Sequence, residues 1–207
     1  MAVGSKKACF IRTDGSVWCW GYEGFGIGVT GWNDSDNSQP YPEKVEGLPG
    51  PATDLSLSFG SMCALLEDTS VWCWGHSVAS LIGISEGSNY EYIHYPEPVR
   101  YGPYGEIVTG VVDVIHSTNQ HATLLMENGD ILSWGQGGWV AANQFVPSPT
   151  WLPWQGLPIQ DALGIAISAS ENGRYIFRAN GEVIVSAPKS GNVYTKQSSG
   201  LYEELCD

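Results

Sequence analysis

The chain has 207 residues, 43% of them hydrophobic and only 15% charged, which excludes a disordered polymer and supports one sizeable core. Acidic residues outnumber basic ones 22 to 9, for a net charge of −13. So few and so scattered cations argue against nucleic acid, whose recognition requires cations to displace phosphate counterions, and against an anionic membrane surface. No run approaches the roughly 18 consecutive apolar residues of a membrane span. Met1 to Phe10 lacks the apolar centre of a standard secretion signal.

Taken in chain order, the elements repeat. Ala2-Val3-Gly4 is the remnant of a strand, followed by ACFIRTDGSVWCWG, Ala8 to Gly21. Pro42-Glu43-Lys44-Val45 is a short extended piece, and Thr53 to Leu57 an inner strand. MCALLEDTSVWCWG, Met62 to Gly75, repeats the first pattern. Then come Pro96-Glu97-Pro98-Val99, an inner strand at Gly110 to Ile115, and ATLLMENGDILSWG, Ala122 to Gly135. The last inner strand is Ala162 to Ile167, before RYIFRANGEVIVSA, Arg174 to Ala187. The tail from Gly191 to Asp207 is available as a final outer strand.

Each of the four long segments reads as a β-hairpin, because apolar runs flank a short polar turn. Trp20, Trp74, Trp134 and Ser186 correspond, in steps of 54, 60 and 52 residues. The turns end in Gly15, Thr69, Gly129 and Gly181. A three-residue hairpin loop needs positive φ at its end, which Gly adopts most readily, so Thr69 predicts either strain or a different turn. The same register sets Cys9 opposite Cys19, Cys63 opposite Cys73, Thr123 opposite Ser133 and Tyr175 opposite Val185. Two Cys pairs at one register predict two disulfides; buried thiols in a reducing compartment are the alternative. Cys206 is left over, as a free thiol or an intermolecular link.

One unit is therefore inner strand, hairpin and outer strand. The fold class is all-β, a partial or small β-propeller of about four four-stranded blades. The chain reads as a single repeat domain, with units at about 1–50, 51–106, 107–160 and 161–207.

These residues resemble the repeat of the regulator of chromosome condensation family. The likeness is carried by Cys63-Ala64-Leu65, the Asp14-Gly15 turn and the Trp-Gly pairs at Trp20-Gly21, Trp74-Gly75 and Trp134-Gly135. Pro42-Glu43-Lys44-Val45-Glu46-Gly47-Leu48 matches the family's Pro-x-x-Val-x-Gly-Leu, and Gly24 to Gly28 and Leu81-Ile82-Gly83 resemble its Gly-Gln-Leu-Gly segment. The resemblance implies a propeller, and says little of function: family members exchange nucleotide on a small GTPase, sense ultraviolet light or inhibit a β-lactamase. The family's ring has about seven blades and this chain has four units. The alternatives are a closed small ring, an arc capped by its own tail, or an arc completed by a second copy or a protein partner, and the last is the favoured reading.

No catalytic constellation emerges. His76, His94, His116 and His121 lack zinc spacing, and there is no phosphate loop and no nucleophile elbow. Asp34-Ser35-Asp36 begins like a calcium loop, but Gln39 and Val45 stand where Gly and Glu belong, so a solvated loop is the better reading. No metal, cofactor or catalytic residue is assigned. Asn33-Asp34-Ser35 is a glycosylation sequon.

Trp18, Trp20, Trp72, Trp74 and Trp134 lie inside repeated strands and read as core. Aromatic residues outside the repeat are candidate contacts, since they bury large areas at low entropic cost. The candidate partner-binding residues are Trp32, Tyr90, Tyr92, Tyr95, Tyr101, Tyr104 and Trp139, most of them in the long connector from Gly87 to Gly105. The resulting expectation is a non-catalytic protein-binding module, a subunit or decoration of an extracellular, cell-surface or virion assembly. A carbohydrate-binding propeller and an enzyme with an unrecognised site are the alternatives, and a cytoplasmic setting remains open.

Overall fold

The computed structural model describes residues 1–3, 7–22, 38–58, 61–77, 91–102, 104–117, 121–136, 145–154, 157–167, 174–186 and 193–197. Four four-stranded antiparallel sheets follow one another along them. Blade 1 holds β1 (Ala2–Val3), β2 (Lys7–Ile11), β3 (Val17–Tyr22) and β4 (Ser38–Lys44). Blade 2 holds β5 (Ala52–Leu57), β6 (Ser61–Leu66), β7 (Val71–Ser77) and β8 (Glu91–Pro98). Blade 3 holds β9 (Val111–Ser117), β10 (His121–Met126), β11 (Ile131–Gln136) and β12 (Phe145–Trp151). A small hairpin, β13 (Pro153–Trp154) and β14 (Leu157–Pro158), leads to blade 4. That blade holds β15 (Ala162–Ile167), β16 (Arg174–Arg178), β17 (Glu182–Ser186) and β18 (Val193–Gln197), the tail strand.

The hairpins have the predicted register. Cys9 pairs with Cys19, Cys63 with Cys73, Thr123 with Ser133 and Tyr175 with Val185. In blade 1 the Arg12 N–H donates to the Ser16 carbonyl and the Gly15 N–H to the Arg12 carbonyl, both at 2.9 Å. Counting outward from that turn, Cys9 and Cys19 fall on a pair that exchanges no backbone hydrogen bonds, where Cα atoms approach most closely. Their Cα atoms are 4.1 Å apart, as are those of Cys63 and Cys73, and both pairs are bridged. In blade 3 the same place holds Thr123 and Ser133, whose hydroxyls lie 3.2 Å apart.

The turn ends have positive φ, at 77° for Gly15, 82° for Gly129 and Gly181, and 66° for Thr69. The strain expected at Thr69 is therefore present, with the turn itself unchanged. Each turn in blades 1 to 3 also ties to the next blade. Ala52 N–H donates to the Gly15 carbonyl at 2.9 Å, Val111 to Thr69 at 3.2 Å and Ala162 to Gly129 at 3.0 Å.

The core consists of apolar seams between successive blades. Blades 1 and 2 bury Cys9, Val17 and Cys19 against Leu55, Met62 and Trp74. Blades 2 and 3 bury Leu65, Val71 and Cys73 against Val114, Leu124 and Trp134. Blades 3 and 4 bury Leu125, Ile131 and Leu152 against Ala162, Ile176 and Ile184. Trp74 and Trp134 are closed off from solvent, at 0% and 1% exposure, and burying each ring contributes about 2–3 kcal/mol. The two Trp-Gly pairs are thus seam residues: the ring fills the wedge, and Gly75 and Gly135 follow it with φ of 108° and 110°.

Candidate binding surface

The tight turns, the starts of the inner strands and the connectors that follow the outer strands lie at the same end of each blade, as the turn-to-strand bonds require. The surface there is built by three recurrent local devices.

The first is an Asx turn. In blade 1 the Ser16 N–H and hydroxyl both donate to Asp14 Oδ1, at 2.9 and 2.6 Å, and the Trp18 indole N–H donates to Ser16 Oγ at 3.0 Å. Blade 2 repeats this with Asp68, Ser70 and Trp72, at 3.0, 2.6 and 3.0 Å. Blades 3 and 4 keep the backbone half, with Asn128 accepting from Asp130 and Asn180 from Glu182. Hydrogen bonds from Ser16 hold the Asp14 carboxyl below the usual range.

The second device is a bulge at one register of three inner strands. Ala52 pairs with Leu66 and Asp54 with Leu65, which leaves Thr53 unpaired. Val112 and Leu163 are skipped in the same way in blades 3 and 4. A bulge re-aims the extra side chain out of the pleat. Val112 and Leu163 are accordingly 50% and 70% exposed, although both are apolar. Beside them, burial raises the Asp113 carboxyl above the usual range, and the Asp54 charge on the neighbouring blade raises it further.

The third device is a larger bulge in the outer strands. Cys19 pairs with Glu43 and Gly21 with Gln39, while Cys73 pairs with Glu97 and Gly75 with Ile93. Pro cannot donate to the ladder, and Pro42 and Pro96 sit within these bulges. Tyr41 and Tyr95 occupy equivalent places there, 74% and 60% exposed.

Of the candidate contact residues, Trp32, Tyr90 and Trp139 lie outside the described residues, as do Cys206 and the Asp34 loop. Tyr92 is on β8, its side chain outside the described part. Much of the long connector is itself the outer strand of blade 2. Tyr95 stands on that strand near Gly47 of blade 1, whose position lies within 3.9 Å of the Tyr95 Cβ for an added methyl. Tyr104 is at the tip of the following loop, 90% exposed. Tyr101 is 40% exposed and packs on Trp151 at the end of β12, ring centroids 6.3 Å apart at 36°. Burial, and then the Asp130 charge, raise the Tyr101 phenol. Tyr41 was missed from the sequence, although Tyr41-Pro42-Glu43 and Tyr95-Pro96-Glu97 are the same tripeptide one unit apart.

A shallow groove of about 290 Å³ adjoins the blade 1 turn, lined by Asp14, Ser16, Lys44, Glu46 and Leu48 among others. Among the described residues no group of three or more His, Cys, Asp or Glu side chains is placed to hold a metal ion. No helix among them is long and apolar enough to cross a membrane.

The repeated four-stranded blades, seamed by Trp-Gly pairs and started by positive-φ turns, define a β-propeller of partial extent. Residues 1–27 match the Regulator of chromosome condensation (RCC1) repeat. That match lies in the first blade. Over 173 residues it is 26% identical to the E3 ubiquitin-protein ligase HERC2 of Mus musculus, and 25% to that of Homo sapiens. Each match covers 82% of this chain and 3% of the relative. Among solved structures it is similar to human WBSCR16, at 16% identity and a TM-score of 0.67, over 89% of this chain and 45% of that one. It is also similar to a chain in the crystal structure of Kap60 bound to yeast RCC1 (Prp20), at 16% identity and a TM-score of 0.62, over 88% of this chain and 40% of that one. The chain thus spans less than half of those two solved chains and a small fraction of the curated relatives.

Proposed function

We propose that this chain is a non-catalytic protein-binding module whose contact surface is built on exposed aromatic side chains. The observation that carries the reading is the exposure of Tyr41, Tyr95 and Tyr104, at 74%, 60% and 90%, on a rigid repeat scaffold. A tyrosine has few rotatable bonds and a large amphipathic face, so fixing it against a partner costs little entropy. The Tyr101–Trp151 pair and the exposed bulge residues Val112 and Leu163 extend the same surface, and Tyr92 on β8, with Trp32, Tyr90 and Trp139 outside the described residues, belongs to the proposal as a sequence candidate. The acidic net charge favours a basic partner surface. The bridges Cys9–Cys19 and Cys63–Cys73 support an oxidising setting, at an extracellular, cell or virion surface.

The test compares the chain with a Tyr41→Ala/Tyr95→Ala/Tyr104→Ala variant in quantitative cross-linking within the native source, alongside a glycan array. Selective loss of a cross-linked protein from the variant, with unchanged melting temperature, is the expected result. Equal cross-linking by both chains would sink the surface, and binding confined to the glycan array would replace the protein with a carbohydrate.

A further inference from the structure

The residue just after each hairpin turn differs between blades, and so does what satisfies it. In blades 1 and 2 it is Ser16 and Ser70, whose hydroxyls donate to the turn aspartate and accept an indole N–H. In blade 4 it is Glu182, and Arg178 Nη1 donates to its Oε2 at 2.6 Å. In blade 3 it is Asp130, and the residue matching Arg178 is Met126: the Gly129 N–H donates to the Met126 carbonyl as the Gly181 N–H does to that of Arg178. Asp130 is 9% exposed. Its Oδ2 accepts from the Asn128 amide at 2.7 Å, and its buried Oδ1 accepts no hydrogen bond among the described residues. Leaving a buried carboxylate oxygen without a donor is unfavourable. Arg100, beside Tyr101, donates instead to the Gly105 carbonyl of its own loop, at 3.2 Å.

Two aromatic rings accompany this carboxylate at the joint of blades 2 and 3. Asp130 lies two residues before Leu132, the partner of Trp151, so strand alternation sets Asp130 and Trp151 on one face. Tyr101 reaches Trp151 from blade 2, and the two rings are 40% and 42% exposed. The Asp130 charge reaches the Tyr101 phenol. Blade 1 shows what a guanidinium does beside such a ring. There Arg12, which matches Met126 and Arg178, lies over Trp18 at 5.4 Å from the ring centroid. The chain thus sets an arginine on a ring in blade 1 and on an acid in blade 4, and in blade 3 it has ring and acid with Met126 in the arginine's place. We propose that the joint of blades 2 and 3 binds an arginine side chain of a basic protein partner, its guanidinium on the faces of Tyr101 and Trp151 and its charge matched by Asp130. Because Oδ1 is covered, the carboxylate acts through its charge while the rings make the contact. A planar, weakly hydrated guanidinium suits that arrangement better than an ammonium. The inference rests on the reading of the chain as a protein-binding module and names the group its partner presents.

The experiment is an NMR titration of the oxidised full chain with an end-blocked Gly-Arg-Gly peptide and with its uncharged citrulline counterpart. It follows the Trp151 indole N–H, assigned with Trp151→Phe. The arginine peptide is expected to give a saturable shift that weakens as salt is raised, and the citrulline peptide none. Asp130→Asn, which keeps an acceptor for Asn128, and Tyr101→Ala should each weaken binding about fivefold. Met126→Arg supplies the cation that blade 4 has, and should abolish the response. Glu46→Gln removes an exposed carboxylate of blade 1 and should change nothing. The pocket is overturned by no saturable shift, by an equal response to citrulline, by a folded Met126→Arg that still binds, or by Glu46→Gln acting as strongly as Asp130→Asn. Melting temperature and near-UV circular dichroism control for folding, and Asp130→Ser, the residue of blades 1 and 2, replaces Asp130→Asn if that variant fails. Peptide binding alongside equal cross-linking by the parent and the Tyr41→Ala/Tyr95→Ala/Tyr104→Ala variant would uphold the pocket and sink the wider contact surface. A failed titration alongside a lost cross-link would sink the pocket alone.

Discussion

The Thr69 hydroxyl accepts the backbone N–H of Gly110, on the next blade, at 2.8 Å. Thr69 is also the one non-glycine residue with positive φ among the described residues, at 66°. The two facts explain each other. At the equivalent turns a methyl on Gly15 would overlap the Pro51 Cβ, and one on Gly129 would lie 2.7 Å from the Gln160 carbonyl. At blade 2 the facing residue is Gly110, so the space goes to a side chain on the turn, and that side chain bonds across the seam.

Replacing Thr69 separates strain from bonding. Thr69→Ala loses the hydrogen bond and keeps the unfavourable backbone, so it should cost about 1 kcal/mol. Thr69→Gly loses the same bond but releases about 1 kcal/mol of left-handed strain, and should be close to neutral. Urea unfolding of both variants checks this; equal stabilities for the two would remove strain from the account.

Gly15 and Gly102 share a φ near 80°, at 77° and 82°, but not an environment. Nothing lies within 4 Å of a methyl placed on Gly102, whereas Pro51 blocks one on Gly15. Gly102→Ala should therefore cost only the conformational penalty of about 1 kcal/mol. Gly15→Ala adds a displaced neighbouring blade, for a total of about 2–4 kcal/mol. The difference should appear as a clearly lower melting temperature for Gly15→Ala.

The two bridges each close a short loop, with a sequence separation of 10. On the loop-entropy scale such a loop is worth about 2–3 kcal/mol. Cys63→Thr/Cys73→Ser, which copies the Thr123–Ser133 pair of blade 3, should lose that amount under oxidising conditions. In reductant, where the parent chain loses its bridges too, the gap between the two should narrow to under about 1 kcal/mol. A gap that survives reduction would mean that packing, rather than the cross-link, carries the stability.

Asp113 should make the fold less stable as pH rises. Burial and the Asp54 charge raise its carboxyl in the folded chain, so the ionised form is disfavoured there. Its unfavourable contribution appears as pH climbs from the unfolded value, about 3.9, through the raised folded value. Asp113→Asn keeps an acceptor for the Val114 N–H and removes the charge. It should raise the melting temperature at neutral pH, with the gain fading below about pH 4. A gain of the same size at both pH values would show that charge is not the cause.

The repeat was legible because turn, Trp-Gly pair and cysteine register recur at matching offsets, and those are local, covalently spaced signals. Cys9–Cys19 and Tyr175–Val185 follow from one turn length alone. The two kinds of bulge were not legible. Whether Thr53, Val112 or Leu163 slips out of the ladder depends on how the inner strand meets its neighbour, and periodicity does not record that. Tyr41 escaped for a related reason. It sits inside a repeated strand, where alternation predicts a buried or paired side chain, and the extra residues of the bulge turn it outward.

The three apolar seams share no buried residue. No single interior therefore has to be re-fitted when one unit changes, and the consequences of a substitution stop at the joint it touches. Such a chain can gain or lose a blade by duplication or deletion of one genetic unit, provided the new joint again buries the apolar residues of one blade against those of the next. Ser186, which stands where the other three units have Trp20, Trp74 and Trp134, is what that freedom permits: each blade answers only to its immediate neighbours.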